Sequence, residues 1–329
     1  PTAPLADALK TEASKIMFEF KVSWHREYGR KIYDGNPANN VGTGYKEFRG
    51  LDILINTGYR DAETGVACPA ADSMVRDFGS ANITTNPTAQ AAIVNEITAM
   101  WRYLNSVARQ AGLLPATWVI SMPEMLHYEL TRVWPIAYYT TNSTVLAASQ
   151  TNTSLTVDAG DATRLRDEMY NGRFLMINGK PVEVVYDDAV AFVNSGGTYT
   201  SPIYFVPQTV VGSHVATYIE HKDYNAPGAA MEVARLLAPE GTFMTTDNGR
   251  FLWVKKPVNN ICVQAQAYEE SRLRLDFPHI AGRIQNVSYT PLLGLRSPYP
   301  SDSTFYDGGK TNRNSYTPSF WAPNTATQA

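Results

Sequence analysis

The chain has 329 residues, with 28 Lys and Arg against 31 Asp and Glu, so its formal net charge is −3. This length can bury a large core in one or two domains, and the near-neutral charge argues against a dedicated nucleic-acid binder with a strongly basic face. Hydrophobic residues make up 44% of the chain and charged residues 18%, which excludes wholesale disorder. No apolar run reaches the roughly 18–20 residues that cross a bilayer, so no membrane partner is expected.

The charges and the cysteines are unevenly spread. Residues 51–239 carry 11 Lys and Arg against 18 Asp and Glu, whereas both ends are mildly basic. Two interpretations stay open: the ends approach other subunits or a polyanion, or the surfaces are simply unevenly charged. The two cysteines, Cys68 and Cys262, fit no metal-ligand spacing, which favours free thiols and a reducing compartment.

The first predicted element is one long helix from Leu5 to Tyr33. Pro4 suits a first helical turn, and Asp34 with Gly35 provides a stop. Such a helix would run roughly 40 Å, which is typical of a spine along an elongated subunit. An ordinary amphipathic core helix is the alternative. The apolar positions recur at steps of three or four residues: Leu5, Leu9, Ala13, Ile16, Phe20, Trp24, Tyr28 and Ile32.

A polar, turn-rich loop follows, and then a second helix from Thr88 to Ala111. Asn86 and Pro87 provide its start, and Gly112 its end. A short strand is predicted at 118–120. Ser121 and Glu124 then form a capping box, which begins a third helix that ends near Pro135.

From residue 138 to 208 the chain is rich in Thr, Asn, Ser and Val, and short β-prone runs alternate with turns. Asn178 and Gly179 predict a hairpin between strands at 174–177 and 182–186. Further expected elements are a strand at 203–206, helices at 165–170 and 227–237, and strands at 251–254 and 261–268. Beyond Tyr289 the chain is rich in proline but also in aromatic residues, which indicates an arm lying on its own or a neighbour's surface, with a loose tail as the alternative.

The sequence predicts no catalytic, cofactor-binding or metal-binding residue, and no enzyme is expected. The five histidines show no helical metal-site spacing: His25, His127, His214, His221 and His279. Gly42, Thr43 and Gly44 lack the third glycine of a dinucleotide site.

Two further segments with aspartate also fail to form a site. Asp187 and Asp188 are adjacent at the end of a strand, so their side chains point to opposite faces. Asp247, Asn248 and Gly249 lack the alternating ligands of a calcium loop and predict a turn between strands.

Several segments, in this order, resemble major capsid proteins of tailed double-stranded-DNA bacteriophages of the Hong Kong 97 type. They are residues 5–33, 45–55, 86–112 with 113–120, 178–185, 205–212 and 269–287. Each motif alone is loose, and the resemblance depends on their order and spacing over residues 5–290. Such proteins usually carry an arm and an extended loop before the spine helix, and few residues precede Pro4 here, so the resemblance does not extend to cross-linking through that loop.

The resemblance implies an α+β fold of the Hong Kong 97 type, with a spine helix, a peripheral-domain sheet and a central axial domain. The implied division is a spine helix at 1–34, the rest of the peripheral-domain core with the second long helix at 35–114, a β-rich axial domain at 115–250, return strands at 251–290 and an extended C-terminal arm at 291–329.

The resemblance also implies a function. Copies would self-assemble, as hexamers and pentamers, into an icosahedral shell that encloses a double-stranded DNA genome and contacts it without sequence preference. Portal, scaffold and decoration proteins are possible further partners, and no cofactor is expected. The protein would assemble in the host cytoplasm and reside in the virion.

Two alternatives accompany this interpretation. An encapsulin-type nanocompartment shell would share the fold but enclose a cargo protein instead of DNA. A ligand-binding or hydrolase domain in the β-rich middle is the other alternative, because exposed Thr, Asn, Ser and Tyr can serve glycan binding.

Overall fold

The computed structural model describes the helices, the sheets and most of their connections. The described residues are 3–40, 47–60, 63–79, 81–134, 159–187, 189–190, 192–195, 197–226, 228, 230–232, 242–257 and 263–291. The predictions for Gly42 to Gly44, for most of 138–158, for 233–237 and for the C-terminal arm therefore lie outside the described residues.

The described part of the chain contains five α-helices, a further helical segment at 230–232, three short 3₁₀ helices and thirteen strands. The five α-helices are α1 (Ala3–Asp34), α2 (Leu51–Leu54), α3 (Pro87–Gln110), α4 (124–134) and α5 (Ala159–Gly172). The strands are β1 (Met74–Asp77), β2 (Thr117–Met122), β3 (Phe174–Ile177), β4 (Lys180–Tyr186), β5 (Val193–Ser195), β6 (Thr198–Val210), β7 (His214–Val215), β8 (Thr217–His221), β9 (Thr242–Thr246), β10 (Phe251–Pro257), β11 (Val263–Tyr268), β12 (Ser271–Leu275) and β13 (Gly282–Tyr289).

One large mixed sheet organises the molecule. Its strand order is β1-β13-β6-β2-β4-β3, and β5 and β7 also pair with β6. β1 runs parallel to β13 and β2 parallel to β4, whereas the other pairs are antiparallel. The sheet draws strands from residues 35–114, 115–250 and 251–290, three of the segments expected from the resemblance. The chain is an α+β protein, as the sequence predicts.

The two faces of this sheet carry different helices. Because successive residues of a strand point to opposite faces, Ile203 and Phe205 of β6 face one side, whereas Tyr204 and Val206 face the other. The first face packs against α3, α4 and Met169 of α5 in the main core. The second face packs against the end of α1 and against α2, in a smaller core.

Helix α3 forms where the sequence predicts it. The Asn86 side chain caps it by accepting hydrogen bonds from the backbone N–H of Thr88 (2.9 Å) and Ala89. One face of the helix is buried in the main core, with Ile93, Ile97, Met100, Leu104 and Ala108. A side chain at Gly282 of β13 would lie 2.8 Å from Met100 Sδ, so this glycine permits the close approach of helix and sheet.

The long helix predicted from Leu5 to Tyr33 is confirmed as α1, and its 32 residues span about 48 Å. Its burial differs from the expectation of a continuous core stripe. Among the side chains described in α1, only Tyr33 is buried, and Phe20 and Trp24 are partly exposed. Only the last turn of the helix reaches the smaller core, because the large sheet lies beneath that end.

Two small antiparallel sheets complete the fold, with strand orders β11-β10-β9 and β12-β8. Asp247, Asn248 and Gly249 have positive φ angles and form the turn between β9 and β10, as predicted. Asn178 and Gly179, at φ 51° and 74°, likewise confirm the predicted hairpin between β3 and β4. Strands β1, β5, β7 and β8 were not predicted, whereas β12 and most of β13 lie within residues 269–287, which the resemblance includes. None of the described helices is both long and apolar enough to cross a membrane.

Candidate functional site

The middle of α1 packs against the three-stranded sheet and not against the main core. The ring of Phe20 lies 5.3 Å from that of Trp253, edge to face, and Trp24 lies 6.1 Å from Phe251. Lys21 Nζ lies 2.8 Å from Asp247 Oδ2, in the turn that joins β9 to β10. The small sheet is thus attached to α1 by aromatic and ionic contacts.

Glu269, between β11 and β12, places its carboxylate where α1 meets the small sheets. We call this contact region the junction. The Glu269 side chain is 0% exposed and accepts hydrogen bonds from Arg250 Nε (2.6 Å) and Trp24 Nε1. His221, at the end of β8, places Nδ1 3.1 Å from the same carboxylate. A buried carboxylate is tolerated when several donors replace its water, so Glu269 ties α1 and both small sheets together at one point.

The groups around Glu269 have shifted proton affinities. Burial and the neighbouring Arg250 lower the pKa of His221, although Glu269 opposes this shift. Burial raises the pKa of Tyr28, and the Arg250 guanidinium lies 5.0 Å from the centre of the Tyr28 ring. Burial and Arg250 therefore outweigh the attraction of Glu269 and hold the pKa of His221 below that of a free imidazole, while its Nδ1 stays 3.1 Å from the carboxylate.

An open cleft of about 460 Å³ lies beside this junction. Its lining is formed by aromatic and acidic side chains with few other groups: Phe20, Ser23, Trp24, Glu27, Tyr28, Lys31, Glu47, Phe48, Glu269, Glu270 and Ser271. We call it the α1 cleft. Such a lining suits a basic side chain with an apolar stem, because carboxylates attract its charge and aromatic faces pack against its stem.

The basic group of the α1 cleft is already paired. Lys31 Nζ lies 3.1 Å from Glu47, 3.4 Å from Asp34 and 3.8 Å from Glu27. Burial alone would lower the pKa of Lys31, but these carboxylates together raise it. The Glu270 side chain is 60% exposed, and its partner Lys222 lies 3.4 Å away. Glu27 also lies 3.5 Å from Arg30, so every glutamate of the lining has a basic partner, and Glu270 is the most exposed of the four.

A second groove, of about 580 Å³, lies between the end of α1 and the large sheet, with Val119, Val185 and Gln208 among its lining residues. Tyr33 fixes the helix end there: its hydroxyl donates to Asp187 Oδ2 (2.7 Å) and lies 2.8 Å from Ser121 Oγ. The second face of the sheet is thus only partly covered, and Val185 remains exposed.

Apolar side chains are also exposed along α1 and on the small sheet. Phe18 is 67% exposed and Val22 51%, both on α1. Phe243 and Met244 are exposed on β9, which has an unpaired edge within the described residues. Large apolar groups on an unpaired strand and on a half-covered helix are typical of surfaces that another chain covers.

The candidate residues considered in the sequence do not converge on one site. His127 is fully buried, His214 Nε2 lies 3.3 Å from Asp276, and His279 packs beside Phe277. His25 is exposed, with its ring 6.3 Å from that of Phe251. Among the described residues, no group of three or more His, Cys, Asp or Glu side chains is arranged to hold a metal ion.

Asp187 accepts a hydrogen bond from Tyr33, and Asp247 pairs with Lys21 in its turn. Asp188 and Cys262 lie outside the described residues, and Cys68 is a free thiol.

Sequence reasoning missed the grouping of Glu269 with His221, Arg250 and Trp24. The only local signal is the charged run that begins at Glu269 after β11. Nothing in the sequence relates position 24 to position 269, because the contact depends on how α1 crosses the small sheets.

No protein-family model matches this chain, and no curated protein matches it. The fold defines the class as an α+β protein built on a large mixed sheet. The uncovered surfaces of α1, of β9 and of the large sheet, together with the resemblance in the sequence, are the features that bear on function.

Proposed function

We propose that this chain is the major capsid protein of a tailed double-stranded-DNA bacteriophage, with a fold of the Hong Kong 97 type. In this proposal α1 is the spine helix, the strands and α3 belong to peripheral and axial domains, and copies assemble as hexamers and pentamers. The protein then resides in the virion, contacts packaged DNA without sequence preference, and meets portal, scaffold and decoration proteins.

The observation that carries the proposal is the incomplete burial of α1. A helix of about 48 Å is packed at its end by the large sheet and in its middle by a small one, while Phe18 and Val22 stay exposed. A subunit that repeats around a shell must contact several neighbours, and many obligate interfaces bury more than about 2,000 Å². The second groove and the edge of β9 add further uncovered apolar surface.

Negative-stain electron microscopy of the purified full chain tests the proposal. Large, thin-walled, closed shells that contain DNA are the expected result. Small shells with a protein cargo would instead identify an encapsulin-type compartment. Dispersed monomers at high concentration, in every salt and pH condition tried, would overturn the shell function and redirect attention to ligand binding by the β-rich middle.

A further inference from the structure

The α1 cleft has the chemistry of a docking site for a basic, aromatic chain segment. Phe20, Trp24, Tyr28 and Phe48 provide aromatic surface along it, and four glutamates line it against one lysine. The most exposed glutamates of the lining are Glu27 (38% exposed) and Glu270 (60% exposed). They pair with Arg30 at 3.5 Å and with Lys222 at 3.4 Å, and such partly exposed ion pairs are weak, so an incoming basic side chain can compete for both carboxylates.

The chain itself contains a segment with the complementary character. Residues 308–329 carry Lys310 and Arg313 and no Asp or Glu, and they include Tyr316, Phe320 and Trp321. The carboxylates of the cleft attract basic side chains, and its aromatic lining packs against aromatic rings. The segment therefore matches the cleft in charge and in aromatic content. Residues 292–329 lie beyond the last described residue.

The path of the chain favours a neighbouring copy as the source of this segment. The described chain ends beside the start of α3: Thr290 N donates to Thr84 Oγ1 (3.1 Å), and Asn82 Nδ2 donates to Thr290 Oγ1 (2.7 Å). Tyr289 belongs to the main core on the α3 face, whereas α1 packs on the opposite face. The nineteen residues that follow Pro291, up to Lys310, span at most about 65 Å when extended, which is enough to reach an adjacent subunit.

We propose that the α1 cleft binds residues 308–329 of a neighbouring copy of this chain, with Lys310 between Glu27 and Glu270. This deepens the shell function and rests on it, since a shell places copies side by side. Because the contact depends on exposed charges, it weakens as salt concentration rises.

Carbodiimide cross-linking of the full chain tests the contact, because it joins a lysine amine to a carboxylate only at close range. Particles are assembled from equal amounts of ¹⁴N-labelled and ¹⁵N-labelled protein, and cross-linked peptides are identified by mass spectrometry. A link between Lys21 and Asp247, whose atoms lie 2.8 Å apart, serves as the internal positive control.

The expected result is a link from Lys310 to Glu270 or Glu27 in peptide pairs of mixed isotope content. Pairs of unmixed content would show that the subunit's own tail fills the cleft, and would overturn the proposal. A link from Lys46 to either glutamate would assign the cleft to the subunit's own loop 41–46, with the same consequence. If the control link forms and neither glutamate is linked to Lys310, the proposal also fails.

A second measurement separates this inference from the shell function. A fluorescein-labelled peptide of residues 304–329 is added to the full chain, and its binding is followed by fluorescence anisotropy. We expect Glu27→Gln with Glu270→Gln to weaken binding at least about tenfold, whereas Glu19→Gln, on the same helix outside the cleft lining, leaves it unchanged.

Together the two measurements separate a failure of the docking site from a failure of the shell function. Shells without a Lys310 link would retain the shell function and overturn the docking site. Carboxylate-dependent peptide binding by protein that forms no shells would support the match between cleft and segment and overturn the shell function. No peptide binding would overturn the docking site in either state.

Discussion

The two faces of the large sheet achieve their burial in different ways. On the α3 face, apolar side chains from three helices and from the strands form one continuous core. On the α1 face, a long helix buries its last turn, and its middle is held by aromatic pairs and the buried Glu269 network. The first region is complete within one chain. The second leaves apolar side chains and two grooves exposed, as expected of a region that neighbouring chains complete.

The largest expected loss of subunit stability follows from a substitution in the main core, on the α3 face of the sheet. Phe205→Ala, at a fully buried position of β6, should reduce the free energy of unfolding by about 3–5 kcal/mol, because it leaves a cavity in the main core. The check is urea unfolding of the dissociated subunit. Phe18→Ala, at a 67% exposed position of α1, is the matched control and should cost less than about 1 kcal/mol. Equal losses for the two variants would remove the contrast between the regions.

The free energy of unfolding should depend on pH through His127, which also lies on the α3 face of the sheet. Burial lowers its pKa to about 4, although a hydrogen bond with the Phe174 carbonyl opposes the shift. The unfolded chain therefore binds this proton more readily than the folded one. The stabilisation is fully present above pH 6.5 and is lost as the pH falls towards 4, by roughly 3 kcal/mol.

His127→Phe removes this titration and keeps a ring between Tyr170 and Tyr186. Unfolding free energies of both proteins between pH 4 and 7 should diverge as the pH rises, with the steeper slope in the natural chain. Parallel pH profiles would show that His127 is not the group responsible.

The Glu269 network should show an intermediate effect. Glu269→Gln removes the negative charge that Arg250 and His221 share, but both partners retain access to water, so a loss of about 2 kcal/mol is expected. Thermal unfolding of the dissociated subunit measures it. Glu270→Gln is the adjacent control, and at 60% exposure it should cost less than about 0.5 kcal/mol. A Glu269 variant as stable as its control would show that α1 is held by the aromatic pairs alone.

Replacing two exposed side chains of α1 should have the smallest effect on subunit stability but the largest effect on particle assembly. Phe18→Ser together with Val22→Ser should change the unfolding free energy by less than about 0.5 kcal/mol, because both side chains are exposed. Particle formation, measured by sedimentation and electron microscopy, should be lost. Tyr103→Ser, 47% exposed on α3, is the control and should leave assembly intact. Normal particles from the α1 double variant would exclude this face of α1 from the subunit contacts.

Local signals predicted most elements of this fold. The cap at Asn86, the apolar stripe of α3 and the Asn178-Gly179 turn act through neighbouring residues, so they can be recognised along the chain. Strand β1 has only four residues and pairs with β13 some 200 positions later, and β12 is rich in arginine. Strand β1 carries no alternating pattern, and β12 alternates arginine with leucine only from Arg272 to Leu275, so both strands depend on pairing with distant partners.

The candidate site was much less predictable than the elements. The spacing of apolar residues in α1 predicted a buried stripe from Leu5 to Ile32, but a spacing shows only which residues share a face. Whether anything covers that face depends on where the sheets lie, and among the described side chains of α1 the sheets contact the middle and the end of the helix. Residues as far apart as Trp24 and Glu269 meet for the same reason.

The sequence by itself determined the α+β class, the long helix, the capped second helix and the hairpin turns, because each follows from interactions within a few residues. Only the tertiary structure decided which strands share the large sheet, which face of it is complete, and where a carboxylate is buried beside an acidic, aromatic cleft. Those features arise from contacts between residues far apart in the chain, whose energies depend on burial and on partners that no local pattern specifies.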